Sequence, residues 1–146
     1  MNDEQALLAK LRYNRIVDIF LGITAYSLQN HLRTTVKGIG QIEIDEVYVG
    51  VNRNGQQFIV PVQAKGGTDQ LATIQTKQDL AFCEQKYPQL ICRPISAQFL
   101  GGGVIAVFEL TMEGEEVKVV DERHYKLVPS DQIGAGELAS YRNRSS

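Results

Sequence analysis

Three acids on one strand-like run and a lysine at the end of the next are the residues here whose types and spacing could do chemistry. "IEIDEVYVG" (42–50) carries Glu43, Asp45 and Glu46 among β-branched residues, and "FIVPVQAK" (58–65) ends in Gln63, Ala64 and Lys65. Strand side chains alternate, so Glu43 and Asp45 are expected on one face of the first run. Ile42, Ile44, Glu46 and Tyr48 then share the other. In the second run, Phe58, Val60, Val62 and Ala64 line one side while Gln63 and Lys65 point to the opposite one. If pairing puts both polar sets on the same sheet face, Asp45 and Glu43 meet Gln63 and Lys65. Carboxylates and an amide oxygen, with the Ala64 carbonyl as a further ligand, suit Mg²⁺ or Mn²⁺ better than zinc. A lysine beside them stabilises negative charge developing on a phosphate. Together these parts describe phosphodiester hydrolysis, with no His or Ser nucleophile required. The same residues also have a plainer reading, a hairpin's solvated face with a lysine directed to water.

The elements that must position them follow from periodicity and turn chemistry. Asn52-Arg53-Asn54-Gly55 holds an Asn-Gly turn, in which both residues tolerate positive φ, so strands 41–51 and 57–65 are predicted antiparallel. Pro61 marks an edge or a bulge in the second. Upstream, Leu7, Leu8, Leu11, Val17 and Phe20 predict an amphipathic helix over 3–20, stopped by Gly22. Thr24 is placed to cap a short helix, and "HLRTTV" reads as a strand. Downstream, Asp69 opens a helix running to about Tyr87, its apolar face including Leu71, Ile74, Ala81 and Phe82. Gln78 falls in line with that face. "LICRPISAQF", "GVIAVFELTM" and "EEVKVVDE" are three further strand-like runs. The prediction is an α/β domain over 1–130 with a central mixed sheet flanked by helices, then a polar tail over 131–146.

The bulk composition narrows little beyond this. With 146 residues, 43% hydrophobic and 22% charged, the chain is long enough for one domain with its own core. A net charge of −2 argues against holding nucleic acid by bulk positive charge, though not against a local basic face. Neither a signal-peptide pattern nor an apolar run of the ~20 residues a membrane span needs is present, which predicts a cytoplasmic protein without a membrane partner. Cys83 and Cys92 lack C-x-x-C spacing and are expected as buried thiols.

"EID", followed 18 positions after its Asp by the Gln of "VQAK", resembles the PD-(D/E)XK nuclease superfamily. That superfamily has an α-β-β-β-α-β restriction-endonuclease-like core, and the predicted element order matches it over roughly residues 1 to 100, leaving extra C-terminal strands. The resemblance implies Asp45 as first acid, Gln63 at the second acid position and Lys65 as the lysine, with Mg²⁺ as cofactor and Mn²⁺ as a substitute. Most members carry Glu or Asp where Gln63 stands, while a Q-x-K form resembles Mrr-like restriction endonucleases. Glu43 or, with less claim on geometric grounds, Glu46 is then the acid to restore the missing charge, and Gln78 and Glu46 are supporting positions behind the ligands. "GQIEIDEVYVG", "VPVQAKGGTDQL" and "CRPISAQF" are also similar to segments of bacterial proteins described as endonucleases.

The activity so implied is that of a Mg²⁺-dependent endodeoxyribonuclease of the restriction or repair kind, acting on double-stranded or branched DNA. His31, Arg33 and Lys37 are candidate DNA contacts, since a guanidinium suits phosphate. A chain this short is expected to work as a homodimer or as part of a longer protein. A nuclease-like fold that has lost its chemistry and serves as a DNA-binding or assembly module is the alternative, as is a small α/β binding protein.

Overall fold

The computed structural model describes residues 3–64 and 69–128, with the backbone alone for 69–72. The chain opens with two helices rather than the single one expected over 3–20: α1 (Asp3–Tyr13) and α2 (Ile16–Leu21). Arg15 breaks them by adopting the left-handed conformation, φ 52°. Its guanidinium reaches Asp18 Oδ2 at 2.6 Å, and that carboxylate accepts the Ala25 N–H at 3.1 Å. The turn lets Leu7, Leu8 and Leu11 of α1 and Ile16, Val17, Phe20 and Leu21 of α2 enter one core.

Thr24 caps no helix; it begins β1 (Thr24–Val36). This segment pairs antiparallel with β2 (Gly40–Val51) along its whole length, from Thr24↔Val51 to Val36↔Gly40. A continuous ladder satisfies far more backbone groups than one short helix would. The expected hairpin joins β2 to β3 (Gln57–Ala64), where Asn52 Oδ1 accepts the N–H groups of Asn54 and Gln56 at 3.0 Å each.

After α3 (Asp69–Lys86) come β4 (Ile91–Cys92), β5 (Ile95–Gly101), β6 (Val104–Glu113) and β7 (Glu116–Lys126). The sheet runs β1-β2-β3-β5-β6-β7, with β4 also beside β3. Strands β4 and β5 lie parallel to β3, and the other pairs are antiparallel. This is an α/β domain on a mixed seven-stranded sheet. Pro61 is interior, not on an edge: β3 has neighbours on both sides. The parallel ladder beside it is interrupted between Cys92 and Ile95, where a residue without an N–H does least harm. No helix among the described residues is long and apolar enough to cross a membrane.

Helices cover both faces. The cluster under α1 and α2 includes Tyr48, Phe58, Val60, Val62 and Ala64, and the cluster under α3 includes Val36, Ile42, Ile44, Val47 and Ile59 with Phe82 and Cys83. The inward face of α3 differs from the expected one. Thr76, Asp79, Phe82 and Cys83 are buried, whereas Ile74 is 55% exposed; the Leu71 side chain lies outside the described residues. Polar Asp79 meets a polar partner on the sheet, so the helix turns its Thr76–Asp79 stripe inward. Cys83 and Cys92 are free thiols, Cys83 buried and Cys92 half-buried. The neighbouring Cys83 first, and burial second, push the Cys92 thiol well up.

One contact of the β1–β2 pair invites a direct test. A Cβ on Gly50 would lie 2.8 Å from Ile23 Cδ1 and 2.9 Å from the Thr24 carbonyl oxygen. Backbone cannot give way as a side-chain tip can, so Gly50→Ala is expected to cost about 2 kcal/mol. Urea denaturation checks this, and an unchanged midpoint would refute it.

Candidate functional site

The site begins where β2 and β3 part. Their ladder runs from Val51↔Gln57 to Glu46↔Val62. Beyond it the Ala64 N–H donates to Asp45 Oδ2 at 2.8 Å, a side chain standing in for a backbone acceptor. In an extended strand a residue sends its N–H and C=O to the same edge, so the Ala64 carbonyl faces this gap as well. The β1 ladder places His31 opposite Asp45, between Asn30↔Glu46 and Leu32↔Ile44, three residues past a register shift between Ser27 and Gln29. His31 has φ 48°, uncommon for a residue with a side chain.

Side-chain alternation slips at this point. Ile42, Ile44 and Val47 all enter the α3 cluster, whereas Tyr48 enters the opposite one and Glu46 reaches α1. Ile42 and Ile44 therefore do not share a face with Glu46 and Tyr48, contrary to strict period two. The bulge in β1 and the parting of β3 leave the backbone free to rotate about Asp45.

A pocket of about 200 Å³ opens on the α1 side, lined by Gln5, Leu8 and Arg12 of α1, Asn30 and His31 of β1, and Asp45 and Glu46. Glu46, fully buried, is gripped from both ends: Arg12 Nε donates to Oε2 at 3.0 Å and Nη2 to Oε1 at 2.7 Å. The hydrogen bond to Glu46 raises the Arg12 pKa further above its already high ordinary value. Burial first, and the Glu46 charge second, push the Tyr48 phenol up, so it stays protonated. Glu46 is thus neutralised, and Asp45 is the acid of the pair left to act on something else. Arg12 escaped the sequence reading, although its i,i+4 spacing from buried Leu8 put it on the inward stripe of α1.

On the opposite face, Gln63 is 5% exposed and Asp79 2%. Gln63 Nε2 donates to Asp79 Oδ1 at 3.2 Å and to the Glu43 carbonyl oxygen at 3.4 Å. Asp79, not Gln78, is the α3 residue that touches it. Glu43 brings its carbonyl to Gln63, while its exposed carboxylate pairs with Arg33 at 3.1 Å. Lys65 lies outside the described residues. Lys37 is exposed, and its backbone N–H and C=O bond to Gln85 at 2.9 Å each. At about 3.3 Å per residue it stands roughly 20 Å along β1 from His31. His124 pairs with Glu122 on β7 at 2.7 Å, far from Asp45 in the strand order.

No protein-family model, curated protein or solved structure matches the chain. What the site can do rests on its own atoms. Among the described residues no three His, Cys, Asp or Glu side chains converge. The gap instead offers the Asp45 oxygen not bonded to Ala64 and the Ala64 carbonyl, while Gln63, on the opposite face, is turned to Asp79 and the Glu43 carbonyl. A hard, oxygen-only set with a single carboxylate suits a cation that keeps several of its waters, as Mg²⁺ does.

Proposed function

We propose that the chain is a Mg²⁺-dependent endonuclease acting on DNA, with a restriction-endonuclease-like arrangement of its sheet and helices. The observation that carries this reading is the parting of β2 and β3 at Asp45, whose carboxylate spans to Ala64 at the mouth of a 200 Å³ pocket. Asp45 and the Ala64 carbonyl would hold the cation. A bound Mg²⁺ would supply charge at a phosphate oxygen. Lys65, the residue after Ala64, is assigned to the same phosphate.

The test is incubation of supercoiled plasmid and linear duplex with the protein in Mg²⁺, Mn²⁺ or EDTA. Cutting in either metal, abolished by EDTA, is the expected result. Absence of cutting by folded protein would sink it. One observation favours the second reading, a DNA-binding module without chemistry: of three acids on β2, Glu46 is committed to Arg12 and Glu43 to Arg33. That reading expects DNA binding without cutting.

A further inference from the structure

The stretch "ISAQFLGGGVIAVF" (95–108) carries no charged residue. It forms the β5–β6 hairpin, whose strands run past the Ala64↔Ala97 pair to a turn at Gly101, Gly102 and Gly103. All three glycines have positive φ, and nothing beyond the chain neighbours lies within 4 Å of where their Cβ atoms would sit. The approach to the tip is open. In place of the polar residues usual beside a turn, it presents Phe99 and Leu100, 39% and 48% exposed.

Ile95 and Ala97 belong to the core cluster under α1 and α2, so alternation turns Phe99 to that same face, where the Asp45 pocket opens. There Lys10 of α1 holds its ammonium 5.5 Å from the ring centroid. Tyr125 packs against the same cluster, so Lys126, opposite Val104 at the turn, lies on the other face. Both lysines are exposed, and among the described residues neither enters an ion pair. A strand crossing the tip meets an aromatic ring with a cation on each side of it. That combination fits a nucleic acid, since the ring can stack on a base while the ammonium groups meet neighbouring phosphates. Two apolar side chains are far less than the roughly 800 Å² per partner that a stable protein interface buries.

We infer that Phe99 stacks on an unpaired base of the DNA, with Lys10 and Lys126 on the flanking phosphates. Resting on the proposed function, the inference names its substrate class: DNA with a single-stranded stretch beside the cut. A base inside a duplex would first have to be unstacked, a cost that an unpaired base does not carry. Asp45 stands level with Gln63 and so with Ser96, two strands away and three residues short of Phe99. The ring is then roughly 14 Å from Asp45, about four nucleotides of a stacked strand.

The test is anisotropy titration in EDTA, which keeps the proposed chemistry off, of a forked duplex with single-stranded arms and of a fully paired one. The wild type is expected to prefer the fork by about tenfold or more. Phe99→Ala should weaken fork binding about tenfold and leave paired-duplex binding unchanged, while Phe99→Tyr keeps the preference. Lys10→Ala should reduce the slope of log K against log salt for the fork by about 0.7. Equal affinity for the two DNAs, or fork binding indifferent to Phe99→Ala, overturns the inference. Mg²⁺-dependent plasmid cutting by the same preparation would then leave the proposed function standing without it. Folded wild type that neither binds nor cuts DNA overturns both.

Discussion

Asp45→Asn protein is expected to lose metal-dependent cutting of duplex DNA by on the order of 10³-fold, equivalent to about 4 kcal/mol of transition-state stabilisation. Its melting temperature should stay within about 2 °C of the wild type. The two halves of this expectation come from the two carboxylate oxygens. One accepts the Ala64 N–H at 2.8 Å, and an amide oxygen in the same place can accept it equally well. The other is the charged atom available to a cation, because Glu46 is occupied by Arg12 and Glu43 by Arg33. Among the described residues Asp45 is the carboxylate at the gap left without a cationic partner, so none of them substitutes for the lost charge. Asp45→Ala is the less clean variant, since it strands the N–H of a residue that is 1% exposed, at about 1–3 kcal/mol. Steady-state cleavage with thermal melting checks both halves. Full activity in Asp45→Asn would remove Asp45 from the chemistry.

The hairpin that frames this site was legible because its signals are local. Asn-Gly dictates the turn, and alternation in "FIVPVQA" puts Gln63 on the face opposite Phe58, Val60, Val62 and Ala64, as the core clusters bear out. What escaped depends on contacts between distant segments. Nothing near Arg15 announces that it will take φ 52° and split a helix; the single cluster that α1 and α2 form together under one sheet face decides that. The face-switch at Asp45 needs a bulge in β1, about 17 residues away in sequence and adjacent in space. On α3, Ile74 faces outward because Asp79 must reach Gln63, and helical periodicity weighs apolar residues without seeing a polar partner on another element. Strand β1 likewise owes its start at Thr24 to pairing with Val51 and not to its own propensity.

The second large effect belongs to Arg12, the residue absent from the sequence reading. Arg12→Met is expected to destabilise the fold by about 3 kcal/mol, near the lower end for breaking a buried pair because the Arg12 side chain is 38% exposed while that of Glu46 is fully covered. At this chain length that is a Tm fall of roughly 6–12 °C. The cost arises from what is left behind: a carboxylate sealed between α1 and β2, beside the Tyr48 phenol, with both its hydrogen-bond donors gone. Adding Glu46→Leu removes that charge, so the double variant should recover at least half of the loss even though it lacks the pair altogether. Chemical denaturation of the two singles and the double settles it. A loss below about 1 kcal/mol in Arg12→Met would mean the pair behaves as a surface contact. A further drop on adding Glu46→Leu would mean the Glu46 position contributes packing, not charge. The pair also gives the pocket its charge pattern: the Arg12 guanidinium bound to Glu46 keeps one acid of the Asp45-Glu46 dipeptide silent, so that Asp45 is the carboxylate of the two left facing the gap.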